Sequence, residues 1–257
     1  MSHVSWSRAY FERIRPTFLE SWAEDLRALA VSHVHLPLTP VEASALSVTP
    51  PLWRERLVAS DPEGLHSIAA RLQKVLEGAE QGVFVRLGSG SPKDSALFRD
   101  HGGCARTPMM ALKFLQTSPR TRAHVSRLME LGHPVHLFVR HWVRIPPWQE
   151  FRCFMRHRRL VGISQLAHWG DTPDYSLAPM AEEIARTLRD FFVRVAQASH
   201  VGSAVFDVLC DTGAGEGAPS RVWLLDANPW GPASDACLFD WSQPEGFDGS
   251  FRYLHGR

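Results

Sequence analysis

Lysine is nearly missing from this 257-residue chain: Lys74, Lys93 and Lys113 stand against 25 arginines, a skew that reads as genome composition rather than as a partner's signature. Cysteine is scarce as well. Cys104, Cys153, Cys210 and Cys237 lie far apart and form no CxxC pair, which argues against a zinc ribbon or a disulfide framework and for free, mostly buried thiols of a cytoplasmic protein. No apolar run reaches the roughly 18 residues a membrane span needs, and the opening MSHVSWSRAYFERIRP lacks the apolar core of a signal peptide. A P-loop is absent, because no GxxxxGK[ST] spacing occurs, and no internal repeat appears. What is present is an ordinary globular balance, 44% hydrophobic and 21% charged, with nine Trp and fourteen Phe. That is enough apolar material for one large domain or two lobes.

Net charge is only +1, but it is unevenly spread. Between Lys113 and Arg159 there are ten Lys/Arg and two acidic residues, Glu130 and Glu150; from Leu160 onward there are six Arg and thirteen Asp/Glu. A cationic middle and an anionic end fit a site that holds an anion on one wall and a metal ion on another. Solvated surface would produce the same counts.

The hydrophobic pattern predicts one short and one longer helix over residues 5–30, broken at Pro16, then an extended connector over His33–Pro51. Asp61-Pro62-Glu63 opens a helix to about Glu80, with Asp61 as N-cap and Pro62 in the first turn. A strand over 82–87 leads into the small-residue loop Gly88–Asp94. Helices follow over Thr107–Thr117 and Pro119–Leu131, then strands over Val135–Val143, Glu150–Arg156 and Leu160–Leu166, with a tight turn at His157-Arg158. Pro179–Ser199 is amphipathic. Strands over Ser203–Cys210 and Arg221–Asn228 close the pattern around the Gly-rich loop Asp211–Ser220. Helices first, then mixed strands and helices, predict an α+β fold with antiparallel sheets.

Three constellations carry chemistry. In the last two strands, Asp207 interrupts the apolar Val205-Phe206-Asp207-Val208, and Asp226 and Asn228, two residues apart, share a strand face. Two carboxylates and an amide oxygen suit Mg²⁺ or Mn²⁺ rather than Zn²⁺; capping of the turn at Pro229 is the plainer alternative. In Arg86-Leu-Gly-Ser-Gly-Ser-Pro-Lys93-Asp94, cations bracket small residues whose N–H groups could approach phosphate oxygens, although a flexible surface loop would look the same. In Phe138–Trp142 and Gln149–Arg152, charge alternates along strands, which fits a polar cleft or solvated edge strands. The basic and aromatic residues around them could also stack on and neutralise RNA.

Three blocks together resemble the cell division cycle protein 123 family: Phe84-Val-Arg-Leu-Gly-Ser-Gly-Ser-Pro-Lys-Asp94; Val139-Arg-His-Trp142 with Glu150-Phe-Arg-Cys-Phe154 and Leu160-Val-Gly-Ile-Ser-Gln165; and Phe206-Asp-Val208 with Trp223-Leu-Leu-Asp-Ala-Asn-Pro-Trp230 and Leu238-Phe-Asp-Trp241. The resemblance spans roughly residues 65–242. It implies an ATP-grasp fold of two α+β lobes with a nucleotide cleft between them, here 1–134 with the N-terminal helical region and 135–257 with the metal site. It further implies ATP and Mg²⁺ as cofactors, with Asp207, Asp226 and Asn228 as metal ligands. Arg86, Ser91, Lys93, Arg140, His141, Trp142 and Arg152 would then lie at the nucleotide, and no catalytic residue is identified. Arg86 and His141 stand where the family has lysines.

Family members assist assembly of translation initiation factor 2, so the expected role is an ATP-dependent, chaperone-like assembly factor for a protein partner. The alternative is an enzyme: an ATP-dependent carboxylate-amine ligase, or a phosphoryl or nucleotidyl transferase, on an unknown acceptor.

Overall fold

Pro16 removes a backbone donor in the middle of the first helical stretch, and the chain answers by breaking that stretch into pieces. The computed structural model describes residues 6–47, 55–168, 170–171, 177–211 and 221–255. In place of a longer second helix it has α1 (Arg8–Ile14), two 3₁₀ turns (Arg15–Thr17 and Leu19–Ser21) and the single-turn α2 (Glu24–Arg27). Thr17 Oγ1 donates to the Ile14 carbonyl and the Trp22 indole donates to the Thr17 carbonyl, so side chains satisfy the interrupted backbone. Phe18, Leu19, Trp22 and Leu26 are all buried, and apolar anchoring prevails over helix periodicity.

The expected connector is likewise structured. Val34–Pro37 forms strand β1, and Pro40–Ala45 forms α3. Thr39 accepts from the Glu42 amide while Glu42 accepts from the Thr39 amide, a reciprocal capping box. The next helix, α4 (Glu63–Leu76), is not capped by Asp61: Pro62 is its N-cap, and the Asp61 carboxylate turns back to accept from the Val58 amide.

The chain divides into two compact units, Met1–Tyr10 with Ser32–Val143, and Phe11–Val31 with Arg144–Arg257. In the first, β2 (Val83–Leu87), α5 (Ala96–Asp100), α6 (Pro108–Thr117), α7 (Pro119–Glu130) and β3 (His136–His141) follow one another. The three strands form an antiparallel sheet in the order β1-β3-β2. Thr107 and Ser118 cap α6 and α7 through their hydroxyls.

The second unit holds β4 (Glu150–Arg156), β5 (Arg159–Gln165), α8 (Ala181–Ala198), β6 (Ala204–Asp211), β7 (Arg221–Pro229) and the short β8 (Phe251–Arg252). Its sheet runs β7-β6-β4-β5-β8, antiparallel except for the parallel β5–β8 pair. His157 and Arg158 both have positive φ, the conformation a two-residue hairpin turn of matching twist requires. Phe192 of α8 meets Phe206 edge-on, so α8 covers the sheet face that carries Phe206 and leaves the opposite face to other residues. All four cysteines are free and buried. Among the described residues no helix is long and apolar enough to cross a membrane. Apart from Asp211, the expected Asp211–Ser220 loop lies outside the described residues.

Candidate functional site

On the sheet face away from α8, register assembles a polar row across four strands. Ser164 of β5 lies opposite Arg152 of β4, Arg152 opposite Asp207 of β6, and Asp207 opposite Asp226 of β7. Directly opposed residues share a face. Asn228, two residues past Asp226, shares its side and donates from Nδ2 to Asp207 Oδ2 at 3.3 Å.

A bulge makes this row possible. Asp207 pairs with Asp226 but Val208 pairs with Leu224, so Leu225 is the bulged residue. One extra residue in β7 reverses the alternation. Leu224 therefore goes with Val208 into the core, at 0% exposure each, while Asp226 goes with Asp207.

Asp207 and Arg152 form a forked pair, Nε to Oδ1 at 2.7 Å and Nη2 to Oδ2 at 2.9 Å, and both side chains are largely buried. Burial works against the charge on Arg152, but Asp207 more than compensates and raises the guanidinium above its ordinary pKa. A third donor, Nη1, reaches the Asp235 carbonyl at 2.9 Å. Asp235 in turn accepts from the Cys237 amide and pairs with His168 at 2.7 Å. Asp226 accepts from the Ala227 amide. Next to the polar row, Gly162, Phe154, Val205 and Asn228 form a second row. Phe239 packs against Phe154 and Gly162, giving the carboxylates an aromatic border.

Two carboxylates and one amide oxygen on adjacent strands fit a hard divalent cation. Arg152 and the Asn228 amide together take three of the about four acceptor positions of an ionised carboxylate, which leaves one on Asp207. The donor set is therefore compatible with Mg²⁺.

In the first unit, Phe84, Arg86, Phe138 and Arg140 share one face of β2 and β3: Arg86 is opposite Phe138, and Phe84 is opposite Arg140. Both arginines are buried, at 3% and 5% exposure. Arg86 Nε donates to the Leu87 carbonyl. His141 is exposed and, being opposite Val83, lies on the other face from Arg140. Trp142 lies just past β3, its amide donating to the Gly82 carbonyl and its indole to the Gly102 carbonyl, both at 2.9 Å. The loop after Arg86 begins as a tight turn in which Leu87 and Gly90 exchange backbone hydrogen bonds. Gly88 donates to the His136 carbonyl, so two of the loop's glycine amides are satisfied within the protein. Ser91 is buried and Lys93 exposed.

The structure thus brings Arg152 together with Asp207, Asp226 and Asn228, and places Arg86, Ser91, Lys93 and Arg140 on one sheet face and its following loop. The loop's fastening to α7 is not anticipated by the sequence patterns. Asp94 accepts from Ser118 Oγ at 2.5 Å and from the Arg120 amide at 2.8 Å. Burial pushes the Asp94 carboxyl upward, but these donors, with the Arg120 charge, bring it below the usual carboxylate range. Ser118-Pro119, a helix-start signal, marks where that attachment occurs.

The family model D123 matches residues 54–248. Among curated relatives, cell division cycle protein 123 of Phaeosphaeria nodorum is 34% identical over 113 residues, covering 43% of this chain and 27% of that protein. The translation initiation factor eIF2 assembly protein of Xenopus laevis is 34% identical over 109 residues, covering 42% and 30%. The matched part of this chain therefore spans less than a third of either relative. By fold, Cdc123 from Schizosaccharomyces pombe matches with a TM-score of 0.71 at 20% identity, over 91% of this chain and 92% of that one.

Proposed function

The chain belongs to the D123 family, and from that premise we propose that it is an ATP-grasp protein that binds ATP with Mg²⁺ and assists the assembly of a protein partner such as a translation initiation factor. The observation that carries the nucleotide reading is the row Arg152–Asp207–Asp226 with Asn228 beside it. Arg152 offsets one of the two carboxylates on this β-ladder rung, and a divalent cation would offset the second. Asp207, Asp226 and Asn228 would hold the metal. Bound there, Mg²⁺ would neutralise phosphate charge and leave part of its shell to water and phosphate oxygens. Arg152 holds the Asp207 carboxylate in position through its forked contact. In the other unit, Arg86, Lys93 and Arg140 supply positive charge for an anion, and Arg86 and Arg140 do so from rigid strands. The assembly role draws on the Xenopus laevis relative, whose name states it.

The test is thermal unfolding with ATP, with and without Mg²⁺, for the wild type and for Asp226→Ala. At about 100 times Kd a ligand adds roughly 2.7 kcal/mol; the wild type should show that Mg²⁺-dependent gain and the variant should lose it. A wild type indifferent to ATP and Mg²⁺ would refute the nucleotide reading. ATP turnover that rises with a small amine or carboxylate acceptor would replace the assembly role by a ligase.

A further inference from the structure

Helix α7 grips the Gly88–Asp94 loop at both ends, at one end through its N-terminal residues and at the other through His124. At the far end, Asp94 accepts from Ser118 Oγ and the Arg120 amide at the start of α7. At the near end, Ser89 Oγ meets Nδ1 of His124, one turn further along α7, at 3.0 Å. Between these points Gly90 passes so close to the helix that an added Cβ would lie 3.3 Å from His124 Cε1 and 3.9 Å from Arg120 Cδ. The loop's shape is therefore set by the helix together with its own turn bonds.

His124 is itself well fixed. Its ring lies 4.5 Å, centroid to centroid, from that of Trp6. Burial, then the charge of Arg120, with a smaller push from Arg86, drives its pKa down to about 4, and Asp94 only partly opposes them. At neutral pH the ring is an uncharged hydrogen-bond partner that feels Arg120 of its own helix, the Asp94 carboxylate and Arg86 of β2. A neutral ring can hold Ser89 without competing for an anion.

We propose that His124 is a positioning residue of the nucleotide site: through Ser89 it fixes the Gly88–Ser89–Gly90 turn that follows Arg86, so that the triphosphate meets a loop already in its binding shape. This rests on the ATP reading given above. A loop fixed beforehand loses less conformational freedom on binding, so removing the fixture weakens affinity even if the folded state survives.

The experiment measures ATP·Mg²⁺ affinity by titration calorimetry for the wild type, Ser89→Ala, His124→Ala, the double variant and His124→Asn, alongside the unfolding midpoint of each free protein. Ser89→Ala and His124→Ala should each weaken binding about tenfold. The double variant should be no weaker than either single one, since both remove the same contact. Asparagine can replace Nδ1, so His124→Asn should recover most of the affinity. If His124 served only to pack under Trp6, its replacement would lower the midpoint and leave Kd unchanged, or its effect would add to that of Ser89→Ala; either result overturns the proposal. A wild type that ignores ATP would overturn the ATP reading and this inference together, whereas binding by the wild type with unchanged affinity in the variants overturns the inference alone.

Discussion

The two charged regions of this protein are held in place by different means. In the five-stranded sheet, a carboxylate is neutralised by an arginine directly opposite it on the next strand, so ladder register alone sets the contact between Arg152 and Asp207. In the three-stranded sheet, Arg86 and Arg140 are equally buried, yet they sit among aromatic neighbours, and the acidic residue of the adjoining loop, Asp94, is turned toward the start of α7 instead. Strand register places a group to within a fraction of a residue spacing, and every ladder bond on either side supports it. A loop tied to a helix depends on a few side-chain hydrogen bonds. The carboxylate region should therefore be costly to damage, and the loop should be easier to loosen without unfolding.

Breaking the forked pair is the most severe way to test that contrast. Asp207→Ala leaves Arg152 charged and largely buried, and removal of one partner from such a pair costs about 3–5 kcal/mol. Replacing both, as in Arg152→Met with Asp207→Leu, should be much milder than either single change in urea denaturation. A loss below about 1 kcal/mol for Asp207→Ala would show that the pair does not anchor this sheet face.

Acid should loosen the loop region first, and His124 sets the window. Its folded pKa, about 4, lies below the ordinary imidazole value near 6.5. The unfolded state therefore binds more protons between these values, and stability falls as pH drops from about 6.5 to 4. The fall attributable to this residue reaches up to about 3 kcal/mol, and His124→Gln should flatten it. Asp94, with its lowered pKa, stabilises above the carboxylate range and releases that contribution only at still lower pH. An unchanged slope between pH 6.5 and 4 in His124→Gln would assign the acid sensitivity elsewhere.

A gentler probe addresses the border of the carboxylate region. A Cβ on Gly162 would lie 2.8 Å from Phe239 Cζ, within a cluster of buried rings. Gly162→Ala should cost about 1–3 kcal/mol through overpacking and leave the Arg152–Asp207 pair intact. A neutral substitution would mean that Phe239 moves aside freely.

Much of the site is legible in the amino-acid sequence. Apolar runs of strand length mark β4, β6 and β7, and the two-residue spacing of Asp226 and Asn228 puts them on one side of a strand. The bulge at Leu225 is not legible, because nothing in Trp223-Leu-Leu-Asp226 says which residue will bulge from the ladder. The family resemblance alone places Arg152 at an expected nucleotide, but its observed partner depends on β4 lying beside β6, a pairing between segments more than fifty residues apart. The capping box Thr39-Pro-Val-Glu42 is a readable signal inside a proline-rich stretch, and the prolines mask it. The break after Pro16 shows the reverse case, where helix periodicity is real but buried aromatic side chains impose a more irregular path.

The amino-acid sequence by itself determined the kinds of group available: two carboxylates and an amide in a closing strand pair, arginines bracketing a glycine-serine loop, and enough apolar strand and helix to carry them. Those are consequences of side-chain chemistry and of periods of 2.0 and 3.6 residues, which are local. Only the tertiary structure decided that Asp207 faces Arg152 and Asp226, that Leu225 forms the bulge, and that His124 reaches Ser89. Each of these depends on how separate segments meet, through ladder register or helix docking, and no local rule contains it.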